Sequence, residues 1–568
     1  MSDFKKLYTA EGEALSGAVH NEYPRPQLKR DSFFCLNGEW DFCVTQGDAP
    51  DRYDRKIRVP FPPQSLLSGV GEEFKKGDVL YYKREFSLPD GFVKSRVILH
   101  VGATDQIATV FLNGEDLGTH VGGYFPFSFD ITEKLTENNT LVIRVTDNPK
   151  DTTLPYGKQR EKRGGMWYTT VSGIWQTVWC ESVPSEYIKE IRIDADDNEA
   201  VISVTGVESG TLTLRTDDGL INAPLENGTC TVKPCHPIRW SPENPHLYRF
   251  KITAGEDEVE SYFALRRISI ENVRGIPRIL LNGEPYFFHG LLDQGYFSDG
   301  LFTPATEGGF ENDIKSMKAL GFNTLRKHIK IEHPQFYYDC DRLGMIVFQD
   351  MVNNGKYSFL RDTALPTALS KRRRFGFCHT NKKTRKAFID TMEQTVRALY
   401  NHPSICLWTI FNEGWGQFDG NEMYKRLSAL DKSRIIDTAS GWFFCKESDI
   451  VSPHVYFKKI RVKPQKKPVL ISEFGGYAHA VEGHIFNEGK AYGYRTFKSI
   501  DDFRTALNTL YTEQIIPAVP YGLCGAIYTQ VSDVEDEING ILTYDRRVCK
   551  LRAEDMLPIA ETLKKAIK

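Results

Sequence analysis

From Phe33 to about Glu181, apolar and polar positions alternate in short runs: LNGEWDFCV, YYKREFSL, SRVILHVG, ATVFLNGEDLG and NTLVIRVTDN. A period of two marks half-buried strands, and the Asn-Gly pairs at Asn37-Gly38 and Asn113-Gly114 mark tight hairpins between them. No helical period of useful length interrupts this stretch, so residues 1–183 read as a jelly-roll β-sandwich. Residues 184–272 repeat the pattern on a smaller scale, in AVISVTGV, TLTLRT and YRFKITAG, at the length of an immunoglobulin-like β-sandwich.

Beyond Val273 the pattern changes to strand and helix in alternation. Strands are expected at Tyr286–His289, Asn323–Arg326, Met345–Gln349, Ile405–Phe411, Arg434–Thr438, Ile450–Ser452, Val469–Ser472 and Cys524–Thr529. Helical stretches lie between them, as at Glu311–Leu320, Pro334–Leu343, Arg385–Tyr400 and Ile500–Glu513. Eight strands with intervening helices predict a catalytic (β/α)8 TIM barrel over 273–568, and hence a multi-domain chain of all-β and α/β parts.

Two glutamates stand at the ends of these strands. Glu413 closes the run NHPSICLWTIFNEGW after the fourth, and Glu473 closes KPVLISEFGG after the seventh. An acid at the mouth of a buried parallel strand is where barrel enzymes keep their chemistry. Two carboxyl groups, one protonated and one ionised, are what cleavage of a glycosidic bond requires: an acid for the leaving oxygen and a nucleophile for the anomeric carbon.

Composition narrows this reading without identifying it. A chain of 568 residues is too long for one core, and a net charge of -3 gives no reason to expect nucleic acid. The first residues, MSDFKKLYTAEGEAL, are charged where a secretion signal would be apolar, and no apolar run approaches membrane-spanning length. Eleven cysteines lack a CxxC pair or a regular framework, which predicts reduced thiols in a cytoplasmic protein without zinc.

The order of the three parts and their motifs resemble glycoside hydrolase family 2, which contains β-galactosidases, β-glucuronidases and β-mannosidases. LNGEWDF and GIWQTVW carry the likeness in the first sandwich, RWSPENPHLY in the second, and FFHG, NTLRKH, NHPSICLWTIFNE and VLISEFGG in the barrel. The resemblance implies that Glu413 is the acid/base, Glu473 the nucleophile, and Asn412 the donor to the sugar 2-hydroxyl. Tyr456 in DIVSPHVY matches a tyrosine that bonds the nucleophile, and His454 beside it is a further binding candidate. His289, Arg326 and His328 match positions that hold the nucleophile or sugar hydroxyls, while Trp415, Trp442 and Tyr528 are candidates for stacking on the ring.

Substrate markers depart from the family pattern. Arg163, Gly164 and Gly165 stand where galactosidases and glucuronidases place an aspartate, and none of Asn487, Asn508 and Asn539 begins the Asn-x-Lys of glucuronidases. Gln349–Asn354 offers one carboxylate where metal-dependent galactosidases use Glu and His, so no metal and no cofactor are expected. The basic run Lys371–Arg374, with Lys382, Lys383 and Arg385, offers a cationic loop, and the acidic segment Tyr528–Arg546 either adjoins the leaving-group site or packs on the sandwich. The resulting expectation is a retaining exo-β-glycosidase, with a carbohydrate substrate, no membrane or nucleic-acid partner, and a possible homo-oligomer. β-D-Galactosides lead; a β-galacturonide or other uronide, an α-L-arabinopyranoside, a β-mannoside, and a non-catalytic carbohydrate-binding protein are the alternatives.

Overall fold

The computed structural model describes residues 4–17, 19–47, 49–364 and 381–568. Lys371–Arg374 of the basic run lie outside them. Two sheets of four and six strands, running from Phe34 to Val183, pack face to face around Trp40, Phe42, Tyr82, Leu99, Val110 and Ile143. A three-stranded and a four-stranded sheet follow between Glu190 and Phe263. Alternate inward residues such as Ile202, Leu212, Leu214 and Ile252 form their core, as expected where each sheet buries one face.

A hairpin of Ile268–Val273 and Ile276–Leu281 spans residue 272 and closes the base of the barrel. Arg278 Nη1 anchors it by donating to the carbonyls of Val519 and Leu523. The barrel strands are β1 (Phe288–Asp293), β2 (Thr324–Lys327), β3 (Ile346–Asp350), β4 (Ile405–Asn412), β5 (Ile435–Ser440), β6 (His454–Val455), β7 (Val469–Phe474) and β8 (Leu523–Tyr528). They form one parallel sheet in the order β5-β4-β3-β2-β1-β8-β7-β6. Bonds from Asp449 N to the Ile436 carbonyl and from Gly441 N to the Ser452 carbonyl, both 2.9 Å, close the circle between β5 and β6.

Helices cover the barrel at Gly308–Ala319, Pro334–Leu343, Lys382–Leu399, Gly420–Leu430, Ile500–Leu510 and Ala553–Ala566. Contrary to the simple alternation expected, no helix stands between β5 and β6 or between β6 and β7. Those connections, residues 441–453 and 456–468, are irregular, and they leave Trp442, His454 and Tyr456 at the mouth of the barrel. Among the described residues, no helix is long and apolar enough to cross a membrane.

Candidate active site

Glu473 is the penultimate residue of β7, and strand alternation turns it inward while Phe474 packs outward on Tyr511 and Tyr528. Arg326, inward on β2, donates to Glu473 Oε1 at 3.0 Å. The same guanidinium donates to Asp350 at 3.0 Å, to Asn412 Oδ1 at 2.9 Å and to Ser440 Oγ at 3.0 Å. It is a buried fork whose donors tie four strands together. The Tyr456 hydroxyl donates to Glu473 Oε2 at 2.5 Å, and its ring is stacked on Tyr494 with centroids 3.7 Å apart. Burial and neighbouring Glu413 push the Glu473 carboxyl up, while His454, Arg326 and Tyr456 oppose them.

Glu413 reaches the same space by an irregular route. Trp408 and Phe411 both face the outer helices, Trp408 bonding Asp431 and Phe411 stacking on Phe388, so the alternation of β4 slips between them. Asn412 therefore turns inward, and Glu413 follows with φ of 51°, a left-handed conformation that non-glycine residues adopt at a cost. His454 Nδ1 is 2.8 Å from Glu413 Oε1 and 3.4 Å from Glu473 Oε2. Its Nε2 faces Arg326 Nη1 at 3.3 Å, which fits the neutral tautomer with the proton on Nδ1. Oxygens of the two carboxylates lie within 4.8 Å of each other. Burial pushes the Glu413 carboxyl up to about 7, with Lys158 and Arg326 pulling against it. Two buried carboxyls within reach of each other, both pushed up and Glu413 to about 7, can supply a protonated acid beside a second carboxylate.

The pocket walls carry polar atoms that the protein itself leaves unpaired. Asn412 Nδ2, Trp415 Nε1, Trp442 Nε1 and His328 Nε2 are all buried without a hydrogen-bond partner. Burial, Lys158 and Arg326 push the His328 imidazole well below its usual range, so it is neutral. Its Nδ1 donates to Gln294 Oε1 at 3.0 Å, leaving Nε2 as an acceptor. Gln294 donates in turn to Gln530 at 2.6 Å, Gln530 to Asn539 at 2.9 Å, and Asn539 to Glu537 at 3.0 Å. Glu537 also accepts from Tyr168 of the sandwich at 2.5 Å. Three donors and an acceptor with no internal partner, in one buried space, suit the hydroxyls of a sugar.

Of the residues expected from sequence, Glu413, Glu473, Asn412, Arg326, His328, His454 and Tyr456 converge on this space. Trp442 is half-buried there, its ring edge-on to His454 at 5.8 Å. Trp415 is stacked on Trp167 of the sandwich at 5.3 Å and forms a wall. Two expectations need correction. His289 lies on the outer side of β1, where Nδ1 donates to the Gly321 carbonyl and Nε2 meets the Tyr511 hydroxyl, both at 3.1 Å. Tyr528 is fully buried outside the barrel, its hydroxyl bonded by Tyr477 N, so it offers no face to a ring. The next residue, Thr529, faces the site instead and pairs with the Tyr456 hydroxyl at 2.8 Å.

Other sequence markers find structural roles. Arg163 turns away to pair with Glu535 at 3.2 Å, and Thr169 N donates to the same carboxylate at 2.9 Å. The acidic late segment therefore packs on the sandwich. Asp350 serves Arg326, while Arg385 pairs with Asp419 at 2.9 Å. Glu413, His454 and Glu473 are also the one acid/His trio with metal-ligand spacing among the described residues; their bonds to Arg326, Tyr456 and each other explain that clustering. Sequence reading missed Lys158, Trp167, Tyr494 and the chain from His328 to Glu537, which carry no local motif.

Comparison with known proteins agrees with this geometry. Residues 272–551 match the family model for the TIM barrel domain of glycosyl hydrolases family 2, and residues 75–175 match its galactose-binding domain-like model. A β-galactosidase of Thermoanaerobacter pseudethanolicus is 23% identical over 79% of this chain. The chain spans 62% of that protein's length, and 42% and 52% of the next two relatives. Among solved structures, a β-D-glucuronidase of Dictyoglomus thermophilum superposes with a TM-score of 0.71 at 18% identity, covering 96% of this chain and 98% of that one. A β-galacturonidase of Eisenbergiella tayi bound to galacturonate gives 0.68 at 19% identity, covering 96% and 99%. With both domain models matched in order and the carboxylate pair set at the mouth of the barrel, the chain belongs to glycoside hydrolase family 2.

Proposed function

We propose that this protein is a retaining exo-β-glycosidase. The observation that carries the reading is the approach of the two carboxylates, with oxygens within 4.8 Å. That fits the carboxyl separation of about 5 to 5.5 Å used in double displacement and leaves no room for the interposed water of an inverting enzyme. Glu473 attacks the anomeric carbon as the bond to the leaving oxygen breaks, and protonated Glu413 gives that oxygen its proton. The product of this step is a glycosyl ester on Glu473. Ionised Glu413 then takes a proton from water, the resulting hydroxide equivalent attacks the anomeric carbon, and Glu473 is released. Asn412 Nδ2 donates to the 2-hydroxyl, a bond that tightens as charge develops on the ring.

For the sugar, the sequence ranks neutral β-D-galactosides first, and relatives of that name support a galacto-configured ring. The corresponding uronide, which differs only in carrying a carboxylate at C6, is the second reading, favoured by buried Lys158, which lies over the Trp415 ring and has no ion pair among the described residues. A cytoplasmic location is consistent with the free thiols of the described cysteines. The test is hydrolysis of aryl β-galactoside, β-galacturonide, β-glucuronide, β-mannoside and α-L-arabinopyranoside, with NMR of the first-formed anomer. Retention and loss of turnover in Glu473→Gln are expected. An inverted product, or full turnover in that variant, would sink the mechanism.

A further inference from the structure

Four lysines are buried among the described residues, and three have counter-ions. Lys327 pairs with Asp293 at 2.7 Å and Glu332 at 3.0 Å, Lys330 with Glu332 at 2.8 Å, and Lys550 with Asp533 at 2.7 Å. The fourth, Lys158, is 7% exposed and, among the described residues, has neither a carboxylate within ion-pair distance nor a hydrogen bond from its ammonium. What it has instead are two aromatic faces, Tyr168 and Trp415, each with its ring centroid 5.6 Å from Nζ. Such faces attract a cation, but they do not supply the anionic partner that it lacks among the described residues.

The ammonium stands on the wall of the catalytic pocket. Trp415 follows Glu413 by two residues, and Tyr168 holds Glu537 at the end of the chain that begins at His328. Its charge is felt at both Glu413 and His328. Aromatic walls keep water scarce there, and a charge-assisted bond gains strength in such surroundings. Lys158 comes from the sandwich, so the cation is delivered across the domain interface and not from the barrel loops.

We infer that Lys158 is a specificity-determining residue that reads an anionic group on the sugar, so that the site prefers a hexuronide whose carboxylate supplies the missing partner. The inference rests on the glycosidase reading above and moves the uronide ahead of the neutral galactoside. A different role, in which Lys158 only tunes Glu413, would affect charged and neutral sugars alike.

Calorimetric binding of free sugars separates these roles without requiring any bond cleavage. D-Galacturonate is compared with D-galactose, and D-glucuronate with D-glucose, on the wild-type protein and on Lys158→Met, which keeps the apolar stem. In at least one pair the acid is expected to bind the wild type roughly 10- to 100-fold more tightly than its neutral parent. Lys158→Met should bring that ratio to within about threefold of unity. Should methionine fail to fold, Lys158→Arg provides the second variant: it keeps the charge and should retain an acid preference. Equal or undetectable binding of both acids by the wild type overturns the inference, as does an acid preference that survives in Lys158→Met. A glycoside panel without turnover would sink the reaction reading alone, because binding of the free acids still decides the role of Lys158.

Discussion

Gly441 lies directly against Glu413: a methyl group on Gly441 would stand 3.0 Å from Glu413 Cγ and 3.1 Å from His454 Nδ1. The acid is thus held between an imidazole and bare backbone, at a position whose φ of 87° also favours glycine. Gly441→Ala should displace the carboxyl and lower kcat on the best substrate by roughly 100-fold, since small misplacement of a reacting group is costly. Stopped assays with a folding check by circular dichroism would test this. A folded variant with wild-type kcat would mean that Glu413 does not need its present position.

The pH profile follows from the two carboxyls. Glu413 must be protonated for the first step, so activity falls as pH rises through about 7. Glu473 must be ionised, and because its carboxyl is pushed up, the acid limb lies above the ordinary value of 4.5. The limbs belong to the coupled pair. Glu413→Gln should abolish the basic limb, with a much smaller rate loss on 2,4-dinitrophenyl than on alkyl glycosides, because the better leaving group needs no proton. An unchanged basic limb in this variant would assign the acid elsewhere.

The same shift makes Glu413 a liability to folding at high pH. Its carboxyl titrates near 7 in the folded protein and near the ordinary 4.5 when unfolded. The protonated form is therefore favoured by folding below pH 4.5, and that advantage is lost as pH rises through 7, reaching about 3 kcal/mol. Glu413→Gln should melt above the wild type at pH 8, with the gap closing toward pH 4.5. Parallel melting curves at both pH values would contradict the buried, protonated acid.

His289 is expected to matter for stability and not for turnover. His289→Ala removes two hydrogen bonds and a ring packed 4.3 Å from Phe322, a loss of about 2 to 4 kcal/mol. The specificity constant of the folded variant should stay within about twofold of wild type. A tenfold fall in kcat with an unchanged melting point would restore His289 to the site.

Fold class and the two converging glutamates were legible in the sequence because they rest on local patterns. Alternation marked the sandwiches, the apolar runs ending in acid marked β4 and β7, and HVY marked the partner of Glu473. What failed was parity. Tyr528 and Thr529 are neighbours, yet a strand sends them to opposite faces, and the aromatic one went outward. His289 went wrong in the same way, two residues into β1. Lys158 was not legible at all, since its meaning comes from the counter-ion it lacks among the described residues and from two rings, one of them met across a domain interface.

The amide chain between His328 and Glu537 has a polarity. Each member donates toward the glutamate, and the negative charge at its end selects that sense over its mirror. Glu537 is in turn grasped by Tyr168, a residue of another domain. A carboxylate can only accept, so Asn539 must turn its amide N–H toward Glu537, and at the far end His328 keeps a lone pair toward the sugar. One face of the pocket thus takes its hydrogen-bonding sense from a single buried carboxylate at the other end of three amides.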